Sequence, residues 1–501
     1  MSIAKIYSRA LTGMNAPQII VEVHVASGLP SFSIVGLPDT EIKESRDRIR
    51  SAIQNSGFDF PARRITVNLA PADLPKDSSR YDLPIALGII IAAKLITPLK
   101  DINQYEFAGE LALDGELRPV KGALAMAFGI HNENRTFVLP IQSANEACLI
   151  EDIKIAAAGS LNQTLDFLLD KIELLHHNNS LVNHSEIIQH NQLNLSQVKG
   201  QLAAKKALEI AAAGRHSLLM VGNPGCGKSM LAERFITLLP KLSNKQAIQS
   251  ASLHSISNIG FDPSTWQIPP FRAPHHSSSA VALVGGGSNP KPGEISLAHN
   301  GVLFLDELPE FDRRVLEVMR EPLESKKIRL ARANCKVDYM ADFQLIAAMN
   351  PCPCGNHGHP QKNCSCSIEQ INRYRSKISA PLLDRIDIVL EIPTLKPNEL
   401  QELNNGEDSA KILERVNQAR EIQISRSNKL NYELTNQELE EVCQLDTKSN
   451  AILSQLVEKN GLSARGYYRL LKLSRTIADL DTSKEVQIKH ISQANQYKKI
   501  I

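Results

Sequence analysis

The chain has 501 residues, of which 43% are hydrophobic and 22% are charged, and its formal net charge at pH 7 is +2. This length predicts roughly three domains, and the composition is typical of a soluble globular protein. The net charge does not itself predict nucleic-acid binding, so any basic surface must be local.

The sequence predicts a cytoplasmic protein with no membrane partner. Its longest apolar run, residues 85–93, is too short to span a bilayer, and no signal-type segment opens the chain. In a reducing compartment the eight cysteines are not expected to form a disulfide framework.

The first region alternates short apolar strands with helices. Strands are predicted at residues 21–25, 32–35 and 64–69, and a helix is predicted at 83–94. A polar stretch rich in Asn and His then indicates a linker. We predict four segments: an α+β domain at 1–172, a linker at 173–193, a parallel α/β core at 194–394 and a helical lid at 395–501.

A phosphate-binding loop opens the central region. A helix predicted at 197–214 leads into an apolar strand at 217–221, and helical periodicity resumes at 230–235. In such a unit the loop N–H groups surround phosphates, while Lys228 reaches the β- and γ-phosphates and Ser229 ligates magnesium. The loop therefore predicts ATP and magnesium as cofactors, bound by Gly222, Asn223, Pro224, Gly225, Cys226, Gly227, Lys228 and Ser229.

Two further apolar strands are predicted to end in polar residues. The strand at 301–305 leads into Asp306, a second magnesium ligand, and Glu307, a general base for the attacking water. The strand at 343–349 ends at Asn350, whose amide can contact the γ-phosphate or orient the water. The alternative for Asn350 is a turn residue before Pro351.

Residues 326–339 alternate as a β-hairpin does, with a turn predicted near residues 333 and 334. The alternatives for its cations are a solvated strand face or a surface that binds DNA phosphates. The cations are Lys326, Lys327, Arg329, Arg332 and Lys336.

Two C-x-C pairs flank a Gly- and His-containing loop after Asn350. Four thiolates brought together by such a loop could bind a structural zinc ion tetrahedrally, and His357 or His359 could replace one cysteine. The alternative is a reduced, unligated cluster or a redox pair. The cysteines are Cys352, Cys354, Cys364 and Cys366.

The order of phosphate loop, Asp-Glu strand and Asn-ended strand resembles the AAA+ ATPases. Several short sequence segments resemble the magnesium-chelatase-related branch of these ATPases, and within it the competence-protein group. The matching segments are RAPHHS at 272–277, GGG at 285–287, PGEISLAHNG at 292–301, LPEF at 308–311, MNPCPCG at 349–355 and PLLDRID at 381–387.

This resemblance implies a ring, usually a hexamer, with ATP bound between neighbouring subunits. Arg385 matches the arginine finger that one subunit inserts into the next subunit's site, the alternative being an ion pair with Asp384 or Asp387. Arg465 matches the second sensor of the lid, and Arg469 is the weaker candidate. Residues 271–294 resemble the helix-2 insert of related motors.

In ring translocases of this branch the basic hairpin points into the central pore. The resemblance thus implies a helicase that acts on single-stranded and branched DNA and drives branch migration in recombination during natural transformation. Other recombination proteins are expected as further partners. The alternatives are a chelatase-type protein-remodelling motor and an ATP-dependent protease.

Residues 107–122, FAGELALDGELRPVKG, resemble the Lon-type protease domain. A Lon peptidase needs a Ser nucleophile and a Lys base, but the aligned positions hold Asp82 and either Leu124 or Met126. We therefore expect a non-proteolytic tier that assists assembly or contacts DNA. Ser78, Ser79 and Lys121 are the alternative catalytic residues.

Overall fold

The structure is a computed structural model of the chain. It describes residues 2–12, 15–36, 40–72, 74, 79–176, 193–287, 290–332, 335–395, 406–459 and 461–497. Most of the predicted linker therefore lies outside the described residues. The described part contains a mixed sheet near the N-terminus, a parallel sheet in the centre and helices after it.

The N-terminal region is built on an eight-stranded mixed sheet of order β10-β9-β8-β5-β1-β2-β4-β3. Side chains of β2 alternate between buried and half-buried positions, so one face of that strand packs on the core. The three predicted strands are confirmed within β2, β3 and β4. The strands of this region are β1 (Ser2–Arg9), β2 (Gln18–Ala26), β3 (Ser31–Val35), β4 (Arg64–Ala70), β5 (Tyr105–Phe107), β6 (Glu110–Leu111), β7 (Leu117–Arg118), β8 (Thr136–Pro140), β9 (Lys154–Ala158) and β10 (Leu175–His176).

Helices pack against this sheet. The apolar run at 85–93 belongs almost entirely to the second helix, whose residues are nearly all buried, which explains its composition. The helices are α1 (Thr40–Asn55), α2 (Asp82–Ala92), α3 (Ala123–Ile130), α4 (Ile141–Ala147) and α5 (Leu161–Leu168).

The central region is a five-stranded parallel sheet of order β12-β15-β18-β11-β19. Its inner strands β11, β15 and β18 are buried along their whole length, as continuous apolar runs predict for a parallel sheet. Two small hairpins, β13–β14 and β16–β17, accompany it. The strands are β11 (Leu218–Gly222), β12 (Phe271–Arg272), β13 (Gly285–Gly286), β14 (Lys291–Pro292), β15 (Val302–Leu305), β16 (Lys327–Arg332), β17 (Cys335–Met340), β18 (Gln344–Met349) and β19 (Ile388–Ile392).

The helix predicted from residue 197 begins later, at Leu202. Residues 195–197 form a separate turn capped by Asn194, and Gln201 adopts a left-handed conformation with φ of 52°. The helices of the region are α6 (Leu202–Gly214), α7 (Lys228–Phe235), α8 (Asn244–Ser255), α9 (Ala280–Val284), α10 (Glu294–Leu297), α11 (Arg313–Val318), α12 (Arg320–Ser325), α13 (Ile368–Arg375) and α14 (Ala380–Leu383).

The described residues after β19 form helices and no strand, which confirms the predicted helical region. Val416 and Leu471 from these helices share one hydrophobic core with Leu208 and with Leu218 of the parallel sheet. Among the described residues, no helix combines the length and apolar character needed to cross a bilayer. The helices are α15 (Ser409–Ser427), α16 (Asn436–Val442), α17 (Thr447–Lys459), α18 (Ala464–Leu480) and α19 (Ile488–Gln496).

The N-terminal region docks on α8 of the central region. Leu124 and Met126 of α3 share a buried apolar cluster with Ala251 of α8 and with Trp266. At the border of this cluster Asn244 donates a hydrogen bond to Glu151 over 2.9 Å. The two regions are therefore held together by apolar burial.

Candidate functional site

The phosphate-binding loop lies between β11 and α7, at the carboxyl edge of the parallel sheet. Gly225 and Gly227 have φ angles of 80° and 94°, which side-chain-bearing residues rarely adopt. A Cβ atom at Gly222 would lie 2.7 Å from the Cys226 sulfur and 2.8 Å from the Ile392 carbonyl oxygen. The glycines are therefore required by the shape of the loop.

Lys228 is buried at the start of α7 and holds the loop together. Its Nζ atom donates to the carbonyl oxygens of Gly222 at 2.7 Å and Asn223 at 3.0 Å. It also donates to Oδ1 of Asn350 over 3.1 Å. The ammonium group thus joins the phosphate-binding loop to the end of β18.

Ser229 and Asp306 lie side by side, although 77 positions separate them in the chain. The Ser229 hydroxyl donates to Oδ2 of Asp306 over 2.6 Å, and Oδ1 of Asp306 accepts from the Glu307 backbone N–H over 2.9 Å. A hydroxyl beside a carboxylate is a donor set that suits Mg²⁺, which prefers oxygen ligands. The residues present therefore fit a magnesium ion.

Glu307 leaves the strand in a left-handed conformation, with φ of 52°, and its carboxylate contacts His276. Nδ1 of His276 lies 3.2 Å from Oε2 of Glu307. The His276 ring lies tilted against His275, with centroids 4.1 Å apart and planes 33° apart, and meets Phe311 edge-on. The RAPHHS segment is visible in the sequence, but its contact with Glu307 could not be predicted, because the two are far apart along the chain.

Asn350 directly follows β18, and its amide oxygen points at Lys228. A residue that served only as a turn before Pro351 would not need this contact. The structure therefore brings Asn350 next to Lys228 and close to the strand that leads into Asp306, and its role there stays a prediction.

The four predicted cysteines come together in space. The Sγ atoms of Cys352, Cys354 and Cys364 are 3.5 to 3.7 Å apart, and one ligand atom from each of the four lies within 4.8 Å of the others. Backbone N–H groups of Asn356 and Ser365 lower the pKa of Cys354 to about 5. In the same cluster, against the lowering effect of backbone N–H groups, desolvation and the neighbouring thiols raise the pKa of Cys364 and of Cys366, so it is the close approach of the four sulfur atoms that suits a tetrahedral metal site.

The two histidines of this loop do not join the thiol cluster, which among the described residues consists of the four cysteines alone. The His357 backbone N–H donates to the Cys352 sulfur over 3.3 Å. Nδ1 of His359 accepts from the backbone of Gln361 and Lys362, each over 3.0 Å.

Arg385 and Arg465 meet at one carboxylate, that of Glu324. Nη2 of Arg385 forms an ion pair with Glu324, and Nη2 of Arg465 lies 3.1 Å from the same oxygen. The Arg385 carbonyl accepts from Ser217, which precedes β11, so both arginines lie at the amino edge of the sheet. In place of the ion pair considered with Asp384 or Asp387, Arg385 therefore pairs with Glu324.

Arg469, the weaker sensor candidate, is more buried than Arg465. It donates to the Ile386 carbonyl over 3.0 Å and to Asp384 over 3.3 Å. Burial lowers the pKa of Arg469, opposed by Asp387 and Asp384. Through these contacts the Arg469 guanidinium holds the segment that precedes β19.

The basic hairpin forms as predicted, with β16 and β17 paired from Lys327 with Met340 to Arg332 with Cys335. Lys327 is exposed, and 72% of the Arg329 side chain is exposed, with Asp338 3.8 Å away. The turn residues and the side chains of Arg332 and Lys336 lie outside the described part of the chain.

Lys326 differs from Lys327 and Arg329 because it lies at the base of the hairpin and is only partly exposed. Its Nζ atom lies 3.4 Å from Asp342 and 3.6 Å from Glu433, and 4.6 Å from the centre of the Tyr432 ring. Arg215 also lies over Tyr432, at 4.9 Å. This cluster joins the hairpin to the strand of Asn350 and to the C-terminal helices.

In the N-terminal region Asp82 is fully buried, and Oδ2 accepts from Arg48 over 3.0 Å and from the Leu111 N–H over 3.3 Å. Burial raises the pKa of Asp82 to about 6, although the hydrogen bond from Arg48 opposes the rise. Ser79 donates to Glu110 rather than to a lysine.

Of the alternative protease residues, only Ser79 and Lys121 are described, and no contact between them is seen among the described residues. Leu124 and Met126 are buried on α3, Lys121 is exposed, and Ser78 lies outside the described residues. The non-proteolytic role of the N-terminal region stays a prediction.

A phosphate loop on a parallel sheet, flanked by the Asp306 and Asn350 strands and followed by helices, defines an ATPase of the AAA+ class. Three family models match: magnesium chelatase, subunit ChlI, at residues 194–400; subunit ChlI of Mg-chelatase at 21–143; and magnesium chelatase, subunit ChlI C-terminal, at 406–498.

Comparison with known proteins identifies relatives along the whole chain. The chain is 46% identical over 510 residues to the competence protein ComM of Haemophilus influenzae, covering 100% of this chain and 98% of that protein. It is 47% identical over 502 residues to the uncharacterized protein YifB of Escherichia coli K12, with the same coverage. It is 26% identical to the magnesium-chelatase 67 kDa subunit of Heliobacterium mobile, over 46% of this chain and 38% of that one. The chain belongs to the ComM/YifB family of magnesium-chelatase-related proteins.

Proposed function

We propose that the protein is the subunit of a hexameric, ATP-driven DNA helicase that drives branch migration in homologous recombination during natural transformation. The observation that carries this proposal is the division of the ATP site between two edges of the sheet. Lys228, Ser229 and Asp306 lie at the carboxyl edge, whereas Arg385 and Arg465 lie at the amino edge.

The distance between the edges supports assembly into a ring. Residue 217 directly precedes β11 and residue 222 ends it, and five residues of strand span about 16 Å. Arg385 therefore cannot reach the phosphate loop of its own chain, and we propose that it leaves Glu324 to complete the loop of a neighbour. On this proposal Glu324 holds both arginines together until they meet the neighbour's nucleotide.

Within one subunit, each residue of the carboxyl edge has a defined task. Lys228 binds the β- and γ-phosphates, Ser229 and Asp306 hold magnesium, and Glu307 accepts the proton of the attacking water. Magnesium, when bound, neutralises the charge that develops on the phosphates. Asn350 positions Lys228 through their 3.1 Å hydrogen bond.

The DNA assignment rests on the basic hairpin and on the competence protein that is similar to this chain along nearly its full length. The exposed cations Lys327 and Arg329 can follow the phosphates of single-stranded or branched DNA without reading its sequence. Arg332 and Lys336 are proposed to extend this surface. Other recombination proteins are proposed as further partners.

We also propose that the four cysteines bind one structural zinc ion in a cytoplasmic protein. Four thiolate ligands leave no open coordination position, so the ion would take no part in hydrolysis. A zinc-to-protein ratio near one after purification without chelator is expected, and a ratio near zero would contradict the assignment.

The test measures ATP hydrolysis with and without forked DNA, together with strand displacement from the fork. We expect DNA to stimulate hydrolysis and the protein to displace the strand, and we expect the Glu307→Gln variant to bind ATP without either activity. Hydrolysis that is indifferent to DNA, with no displacement, would contradict the helicase.

A chelatase-type protein-remodelling ATPase is the second candidate. It is favoured by the three magnesium-chelatase models, which match successive parts of the chain. It predicts hydrolysis that responds to a partner protein and not to DNA, so the same assay separates the two functions.

A further inference from the structure

We propose that the four-cysteine loop braces the phosphate-binding loop, so that metal on the cysteines sets the affinity for ATP. This inference rests on the proposed ATP site and zinc centre. The metal would thus regulate ATP binding from outside the ATP site.

The first contact between the two loops is made by Asn223. Its side-chain amide donates to the Gly355 carbonyl over 2.6 Å and to the His357 carbonyl over 3.3 Å. Oδ1 of Asn223 accepts from Thr394 over 3.3 Å. Asn223 is only 7% exposed, so its side chain serves the cysteine loop and is not available to a phosphate.

The second contact is close packing between Gly355 and Pro224. Gly355 has φ of 78°, and a Cβ atom there would lie 2.6 Å from two ring atoms of Pro224. The backbone of the cysteine loop thus lies directly against the phosphate-binding loop. A displacement of one loop must move the other.

The third connection is along the chain. Asn350, which accepts the hydrogen bond from Lys228, is followed by Pro351 and then by Cys352, which is fully buried. The position of Cys352 therefore limits the position of Asn350. Through these three connections the cysteine loop is joined both to the phosphate-binding loop and to Asn350, and both accept hydrogen bonds from the Lys228 ammonium group.

Little besides the sulfur atoms fixes the shape of the cysteine loop. Residues 351–367 contain neither helix nor strand, and the four Sγ atoms lie within 4.8 Å of one another. In such a segment the bound metal supplies the order that secondary structure supplies elsewhere. Loss of the metal is therefore expected to release Gly355 and His357, and with them Asn223.

The experiment is a double-mutant cycle on the full-length protein. The dissociation constant of a fluorescent ATP analogue and the zinc content are measured for wild type, for Asn223→Ala, for the pair Cys364→Ser and Cys366→Ser, and for the combination. Ser365→Ala, an exposed change between the two cysteines, is the matched control. Calorimetry and sedimentation report folding and assembly of each variant.

We expect Asn223→Ala to keep its zinc and to bind the analogue about three- to tenfold more weakly, the effect of one or two lost hydrogen bonds. The cysteine pair should lose zinc and weaken binding at least as much. The combination should be no weaker than the cysteine pair by more than about twofold, because both changes break one linkage. Ser365→Ala should match wild type in both quantities.

Different failures have different meanings. Wild-type affinity in the zinc-free cysteine variant, or in Asn223→Ala, overturns the brace and leaves the zinc centre standing. Effects of the two changes that simply add also overturn it. Absence of zinc from the wild type overturns the metal centre, and absence of analogue binding to the wild type overturns the proposed function. Because Asn223→Ala retains the metal, a cysteine variant that fails to fold does not remove the test.

Discussion

Lys228 shows how one side chain connects separate parts of the site. Its ammonium group satisfies two loop carbonyls and Asn350, so Lys228→Ala removes a charge from the phosphates and leaves three acceptors without their donor. We predict that ATP hydrolysis falls by roughly a hundredfold or more. A phosphate-release assay measures this, with Lys241→Ala, an exposed lysine, as control. More than a tenth of wild-type activity in Lys228→Ala would contradict the assignment.

Asp82 is a second residue whose surroundings make a prediction. Burial raises its pKa to about 6, whereas 3.8 is its ordinary value. Between these values the folded chain holds more protons than the unfolded chain, so this group's contribution to stability falls as pH rises. From pH 5 to 7.5 the wild type should lose about 1 kcal/mol of unfolding free energy relative to Asp82→Asn. Calorimetry of both proteins measures the difference, and parallel pH profiles would show that Asp82 keeps an ordinary pKa.

At the scale of elements, the base and the arms of the basic hairpin have different environments. Lys326 contacts Asp342, Glu433 and the Tyr432 ring, whereas Lys327 and Arg329 are exposed. We predict that Lys326→Ala lowers the free energy of unfolding by about 1 kcal/mol through the lost cation–π and ionic contacts. Urea unfolding measures this change, and a wild-type midpoint would exclude a role for Lys326 at the junction.

Lys327 and Arg329 should matter for the response to DNA and not for stability. Lys327→Glu with Arg329→Glu should change stability by no more than about 0.5 kcal/mol, because exposed side chains contribute little. The same pair should abolish the stimulation of ATP hydrolysis by forked DNA, because phosphates would now meet carboxylates. Wild-type stimulation in this pair would remove the hairpin from the proposed DNA surface.

The same hairpin shows how far sequence reasoning reaches. Alternation along residues 326–339 was enough to predict the two strands, because a strand's pattern is local. The junction at Lys326 was not predictable, because Tyr432 lies 106 positions further along the chain. For the same reason Asp306, Glu307 and Asn350 could be predicted from strand ends, whereas the contacts of Glu307 with His276 and of Arg385 with Glu324 could not. The start of α6 was missed because the left-handed Gln201 has no sequence signal comparable to glycine.

At the scale of the whole molecule, the parallel sheet separates the parts of the ATP site. All five strands run in one direction, so the loop after β11 that leads to Lys228 and the strand ends that lead to Asp306 and Asn350 lie on one edge. The Arg385 segment enters β19 at the opposite edge, and Arg465 joins it through Glu324. On the proposed function, a second copy of the chain completes this site. This requirement can be tested directly by mixing variants.

Arg385→Ala subunits retain an intact phosphate loop, and Lys228→Ala subunits retain the arginine. We predict that each variant alone is inactive in ATP hydrolysis and that a mixture regains activity. In an equal random mixture about a quarter of the interfaces pair an intact loop with an intact arginine, so recovery can approach that fraction of wild type. The variants are mixed before assembly, and sedimentation with differently sized tags confirms mixed rings. Mixed rings that remain as inactive as either variant would show that Arg385 does not act on a neighbour's nucleotide. Full activity of Arg385→Ala alone would remove the arginine from the site.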